Sequence, residues 1–322
     1  MHSISTPSMD KRAQAGALYY CRINTIFVIM KKYLLIVMAF LALLTGCGKT
    51  PPRMVILGID GWGSAYLDSL PMPNIRGLMA EGTYTFHKRS VMPSSSAINW
   101  ASIFNGLPTQ LHGFTKWNSK APEFPVADVP DSGIPVTLFT LYRERYPEAK
   151  VEALYEWDGV KFALDTLAFD LQRKTLAEDA TDSTTTEVID LLLQDRPDLF
   201  YVHYDAVDHA GHAFGWGSPE YNEQVAIMDR NVGRILDAFK EAGLYDNTYF
   251  VLVSDHGGRK KKHGGPSVLE LEAPFIIVGP GIKKGAELEG YMLQYDVAAT
   301  LASVLGLPIP SYWRGRSVPV KD

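Results

Sequence analysis

An α/β fold with a mostly parallel central sheet and helices on both faces is predicted by two observations. Short, continuously apolar runs recur along the chain, and helix-length segments separate them. Runs that are apolar at every position suit strands buried on both faces, the habit of parallel sheets. The segments between them supply the crossovers that parallel pairs require.

The runs are residues 54–59, 151–155, 199–204, 249–253 and 275–278. The helix-length segments are 73–81, 97–104, 135–146, 184–194, 220–242 and 295–305. A single domain is expected over 54–322, with a cap-like excursion at 107–135, rich in Pro, Gly and polar residues. Unstructured stretches that long are usually functional. Ligands of open parallel sheets bind beyond the carboxyl ends of the strands, and three polar clusters follow the runs at once.

Composition limits the partners. With 46% apolar residues in 322, the chain can bury a sizeable core. The formal charge is −5, but residues 1–46 hold five basic residues and only Asp10 as an acid, so without them 26 basic and 35 acidic residues remain, a net of −9. That balance disfavours extended nucleic acid. Small anionic substrates stay open if metal ions reverse the local sign. No obligate protein partner is evident.

From Met30 the chain reads MKKYLLIVMAFLALLTGCGKT. The apolar run is about a dozen residues, short of the roughly 20 that span a bilayer core, so it reads as a secretory signal. Leu44-Thr45-Gly46-Cys47 resembles the bacterial lipobox, which implies acylation at Cys47 and a lipid anchor in a periplasmic, outer or cell-surface membrane. Residues 1–46 are then leader, with 1–29 left without a role as if the start codon lay further on, and 47–53 is a tether. An ordinary cleaved signal is the alternative. Cys21 lies in the leader, so the mature chain holds Cys47 alone and forms no internal disulfide.

Three clusters carry the chemistry: ILGIDGWG at Asp60, YDAVDHAGHAFG with Asp208 and His212, and SDHGGRKKKHGG with Asp255, His256 and His263. Nitrogen and oxygen donors without thiolate suit a two-metal site. Taken singly, Asp60 could cap a turn and Asp208 a helix. A fourth element, VMPSSSAINWASIFNG, sets a serine at a helix start, where amides and dipole favour negative charge. Plain capping by Ser94, Ser95 or Ser96 is the alternative there.

Together these residues resemble the alkaline phosphatase superfamily, and most closely its type I phosphodiesterase and nucleotide pyrophosphatase branch. The resemblance implies an alkaline-phosphatase-like fold and hydrolysis of a small phosphoester substrate. It implies two divalent ions, zinc first and manganese second. Asp60, Ser96, Asp255 and His256 would hold one ion, and Asp208, His212 and His263 the other.

Ser96 is the implied nucleophile because Gly106 lies ten positions after it, as in the family, and Asn99 is the implied donor to a phosphoryl oxygen. Trp100, Lys116, Trp117 and Asn118 are candidates for recognising the leaving group. Two features depart from the branch: His263 follows His256 by only seven positions, and the nucleophile is Ser rather than Thr. A phosphomonoesterase is therefore an alternative, and a non-catalytic, metal-stabilised surface lipoprotein a further one. A sulfatase is disfavoured, since Ser96 is followed by Ala97, Ile98, Asn99 and Trp100 rather than by Pro and Arg at the spacing that formylglycine formation needs.

Overall fold

Nine strands among the described residues form one sheet in the order β4-β3-β5-β1-β6-β7-β2-β8, where β8 is Ala286–Glu287, with β9 (Met292–Leu293) against β2. The computed structural model describes residues 30–33, 50–68, 70–126, 131–177 and 180–321. The apolar part of the signal and Cys47 lie outside the described residues. Residues 51–322 make one compact unit, and no helix in the described residues is long and apolar enough to cross a membrane.

β1 (Arg53–Ile59), β3 (Val151–Tyr155), β5 (Leu199–Tyr204) and β6 (Thr248–Val253) coincide with apolar runs, and with β4 (Leu171–Lys174) they form a parallel block. Alternation along β1 feeds two cores. Met54 and Ile56 join one layer, Val55, Leu57 and Ile59 the other. Each such fully buried aliphatic side chain contributes about 1.5–3 kcal/mol.

β7 (Glu272–Val278) also coincides with a run but lies antiparallel to both neighbours. Apolar continuity reports burial on two faces, not direction. β2 (Thr83–Arg89) escapes the apolar-run criterion because its sequence TYTFHKR is mixed and its burial alternates. β4 escapes it as a short, half-exposed edge strand.

Helices α1 (Pro73–Glu81), α2 (Ser96–Asn105), α3 (Leu138–Arg145), α4 (Thr181–Asp195), α6 (Pro219–Glu241) and α7 (Asp296–Leu305) fall on the six predicted segments. The short α5 (Ala206–Phe214), rich in Asp and His, was not predicted as an element. The excursion after α2 folds back rather than standing free. Ser102 Oγ meets His112 Nε2 at 3.0 Å, Phe114 is buried, and the amide of Ala97 donates to Trp117 O at 3.2 Å.

α2, buried along its whole length, ends at Gly106 with φ of 64°. Its carbonyl accepts from the amides of Arg314 and Gly315, and a Cβ there would stand 2.7 Å from the Trp313 ring. Gly106→Ala should cost about 1–2 kcal/mol for the left-handed backbone alone, and more for displacing the indole. Urea unfolding checks this; equal midpoints would show that the α2 terminus is not held this way.

Candidate active site

Every strand of the parallel block points its carboxyl end to one edge, and the titratable clusters gather there. Asp60 follows β1, Asp255 and His256 follow β6, and α5 starts directly after β5. On α5 the N-cap is Asp205, not Asp208, which sits in the first turn. The four-residue spacing then sets His212 beside it, Nε2 to Oδ2 at 3.3 Å.

Ser96 is the first residue of α2. Its Oγ lies 3.2 Å from His256 Nε2 and 3.5 Å from Asp60 Oδ1. His256 Nε2 stands 3.3 Å from Asp255 Oδ2 and 3.5 Å from Asp60 Oδ1. The His263 ring stacks on His256 at 3.9 Å, with its Nε2 3.9 Å from Asp208 Oδ1. Asp60, Asp255 and His256 form one group whose donor atoms lie within 4.8 Å of one another, and Asp208, His256 and His263 form a second. His256 thus belongs to both. His212 joins the second through Asp208 and stays half-exposed at the rim.

The three imidazoles share one orientation. Nδ1 of His256, His212 and His263 donates to the carbonyls of Gly257, Lys261 and Ser94 at 2.9, 3.1 and 3.1 Å. A carbonyl only accepts, so each Nδ1 carries a proton and the Nε2 atoms face the carboxylates. In a neutral ring that Nε2 is a lone pair, repelled by carboxylate oxygen unless a cation lies between. Asp208 Oδ1 and Asp255 Oδ2 are buried without a hydrogen-bond donor. This donor set fits divalent metal.

Protonation obeys the same crowding. Burial raises Asp255 well above the usual carboxylate range, with repulsion from Asp60 and Asp208 adding to it. Asp208 is also raised by burial. Burial pushes His263 down to about 4 and lowers His256 too, while the hydrogen bond with Asp208 raises His212. For Asp60, burial is outweighed by the hydrogen bond from His203, the charge of His256 and a hydrogen bond from Trp100, so it stays low.

His203 was absent from the predicted site. It is fully buried within β5, and its Nε2 donates to Asp60 Oδ2 at 3.1 Å. Trp100 Nε1 donates to the same oxygen at 3.0 Å, which leaves Oδ1 for Ser96. A lone histidine in an otherwise apolar and aromatic strand, two residues before the site edge, is the signal that could have found it.

Two expectations need correction. Trp100 is fully buried and orients Asp60, so it does not contact a leaving group. Asn99 is equally buried. Its Nδ2 donates to the carbonyls of Val91, Pro93 and Ser95 and its Oδ1 accepts from the Val91 amide, so it clamps the loop before Ser96 instead of facing a phosphoryl oxygen. Lys116 is exposed and paired with Glu123 at 3.3 Å.

A cavity of about 380 Å³ opens beside Ser96, walled by Trp117, Trp157, Asp208 and His212 with the Asp205–His209 pair. The two indoles stack at 6.5 Å, and Trp117 is 58% exposed. The basic run at 259–262 forms an exposed turn whose Lys260 and Lys261 carbonyls hold the Trp216 amide and His212 Nδ1.

The profile of the family described as type I phosphodiesterase / nucleotide pyrophosphatase matches residues 54–265. A venom phosphodiesterase from Macrovipera lebetinus is 26% identical over 220 residues, 63% of this chain and 25% of that protein. The chain thus spans about a quarter of such a relative's length. Among solved structures, murine ectonucleotide pyrophosphatase/phosphodiesterase 5 has 14% identity and a TM-score of 0.65, over 80% of this chain and 96% of that one. The phosphonate monoester hydrolase of Agrobacterium radiobacter has 16% identity and a TM-score of 0.64, over 83% and 76%. These two likenesses show a shared alkaline-phosphatase-like fold. The matched stretch runs from the start of β1 past His263 and takes in both donor groups, and so the chain belongs to the type I phosphodiesterase / nucleotide pyrophosphatase family.

Proposed function

We propose that this protein is an exported, lipid-anchored, metal-dependent hydrolase of phosphoesters, of the phosphodiesterase and nucleotide pyrophosphatase type, with Ser96 as nucleophile. The observation that carries the reading is the position of Ser96 Oγ, 3.2 Å from His256 Nε2 and 3.5 Å from Asp60 Oδ1, against a donor set with orphaned carboxylate oxygens. A scaffold has no need of a hydroxyl there.

Asp60, Asp255 and His256 would hold one divalent ion and Asp208, His212 and His263 a second, zinc in the first instance and manganese otherwise. Such ions supply Lewis acidity that lowers the pKa of a hydroxyl or water and offsets phosphoryl charge. Ser96 Oγ gives its proton to water and bonds to phosphorus while the bond to the leaving oxygen breaks, and that oxygen departs with the electron pair and takes up a proton. Water then displaces Ser96, restoring its hydroxyl and releasing the phosphate. The α2 dipole favours the charge that collects at its N-terminus. His203 and Trp100 keep Asp60 Oδ1 aimed at the serine. The walls of Trp117 and Trp157 offer a second ester substituent an apolar seat, which supports a diester over a monoester.

Ser96→Ala should lower turnover by about a thousandfold or more while metal content stays near that of the wild type. Full activity in that variant refutes the covalent route. Chromogenic phosphate mono- and diesters with a sulfate ester, run in added zinc or manganese, separate the substrate classes, and no turnover of any ester favours a binding protein. Trp117→Ala should change the ranking of diesters; an unaltered ranking removes Trp117 from recognition.

Metal removal has a defined sign. The carboxyl of Asp255 is raised in the folded chain, so its ionised form costs stability at pH values above its ordinary 3.8. Metal-free Asp255→Asn should therefore unfold at or above the wild-type temperature at pH 7. Zinc at about 100 times its dissociation constant should stabilise the wild type by about 2.7 kcal/mol and the variant far less. Equal zinc responses in calorimetry would remove Asp255 from the ligand set.

A further inference from the structure

Asp255 and His256 are adjacent in sequence, yet both turn inward, with Nε2 3.3 Å from Oδ2. Neighbouring side chains on an extended strand point to opposite faces. The backbone must therefore leave the ladder directly after Val253, where β6 ends. That departure takes the carbonyls of Ser254, Asp255 and His256 out of regular pairing in a buried place, where unbonded polar groups are costly.

Each carbonyl is met by a side chain instead. Lys88 Nζ donates to Ser254 O at 2.6 Å. Gln294 Nε2 and Ser90 Oγ donate to Asp255 O at 2.7 and 2.6 Å, and Ser254 Oγ donates to His256 O at 3.1 Å. Gln294 Oε1 accepts from Lys88 Nζ and ties the first two supports together.

Lys88 is the unexpected member. It sits on β2, reaches past β7 to the end of β6, and is fully buried. A cation that has lost its water needs compensation, and among the described residues no carboxylate lies within ion-pair distance of its Nζ. What it bonds is the carbonyl one residue ahead of the Asp255–His256 pair.

We propose that Lys88, through Ser254 O and Gln294, is a positioning residue that sets the direction of Asp255 and His256 and hence the affinity of the site for metal. This rests on the reading of that pair as metal ligands. It assigns Lys88 no contact with substrate or with the ion.

The test uses the full chain, titrated with zinc and, separately, with cobalt(II), whose visible absorption reports ligand geometry. Lys88→Met keeps the unbranched apolar stem and deletes the ammonium donors. Zinc affinity should fall about 10- to 100-fold, as for other residues that orient ligands, and the cobalt bands should shift. Metal-free stability should fall modestly, because Ser254 O and Gln294 Oε1 are left without their donor, so affinity and spectrum are read on the folded variant.

Gln294→Met should act in the same direction, and the double variant should bind metal no more weakly than the worse single one. Unchanged zinc affinity and cobalt spectrum in Lys88→Met overturn the proposal. If that variant does not fold, Gln294→Met decides by the same two readouts. A wild-type chain that binds neither ion overturns the metal reading along with it.

Discussion

Like charges brought together without water are the constraint on which the site depends. Asp60, Asp208 and Asp255 are each under 10% exposed, and they face the Nε2 atoms of His212, His256 and His263 across 3.3–3.9 Å. Hydrogen bonds from His203 and Trp100 and the charge of His256 relieve it at Asp60, but Asp208 and Asp255 stay raised. The raised carboxyls of Asp208 and Asp255 and the lowered imidazoles of His256 and His263 express the same strain from opposite sides. A cluster so arranged spends folding energy to be ready for cations, and the sheet around it must supply that energy.

The supply comes from two layers of apolar side chains on either side of the parallel block. Their rigidity lets side chains from distant segments be aimed with backbone hydrogen bonds alone. The Nδ1 atoms of three histidines are fixed by carbonyls of a glycine, a lysine and a serine, so ring orientation depends on loop conformation and not on the identity of a neighbouring side chain. Asp60 is the exception. One of its oxygens is held by His203 and Trp100, two fully buried side chains.

How much of this was legible in the sequence follows from the physics of each feature. Parallel strands buried on both faces announce themselves as apolar runs, and four of the five in the block were legible. β2 and β4 were hidden because mixed or edge strands dilute the pattern, and the direction of β7 leaves no trace in composition. Metal-ligand candidates were legible because several Asp and His in short spans have few structural uses. Supporting residues were not. Trp100 and Asn99 carry polar groups that could serve substrate or fold equally, and only their burial separates the two roles. His203 and Lys88 lie in strands, and the carbonyls and carboxylates they meet are more than a hundred residues away in sequence.

The course of β1 has a bearing on access. The chain enters this strand at Arg53 and reaches Asp60 after its seven residues, a rise of about 23 Å at roughly 3.3 Å per residue. The strand thus begins at the amino edge of the sheet, while the cavity beside Ser96 opens at the carboxyl edge.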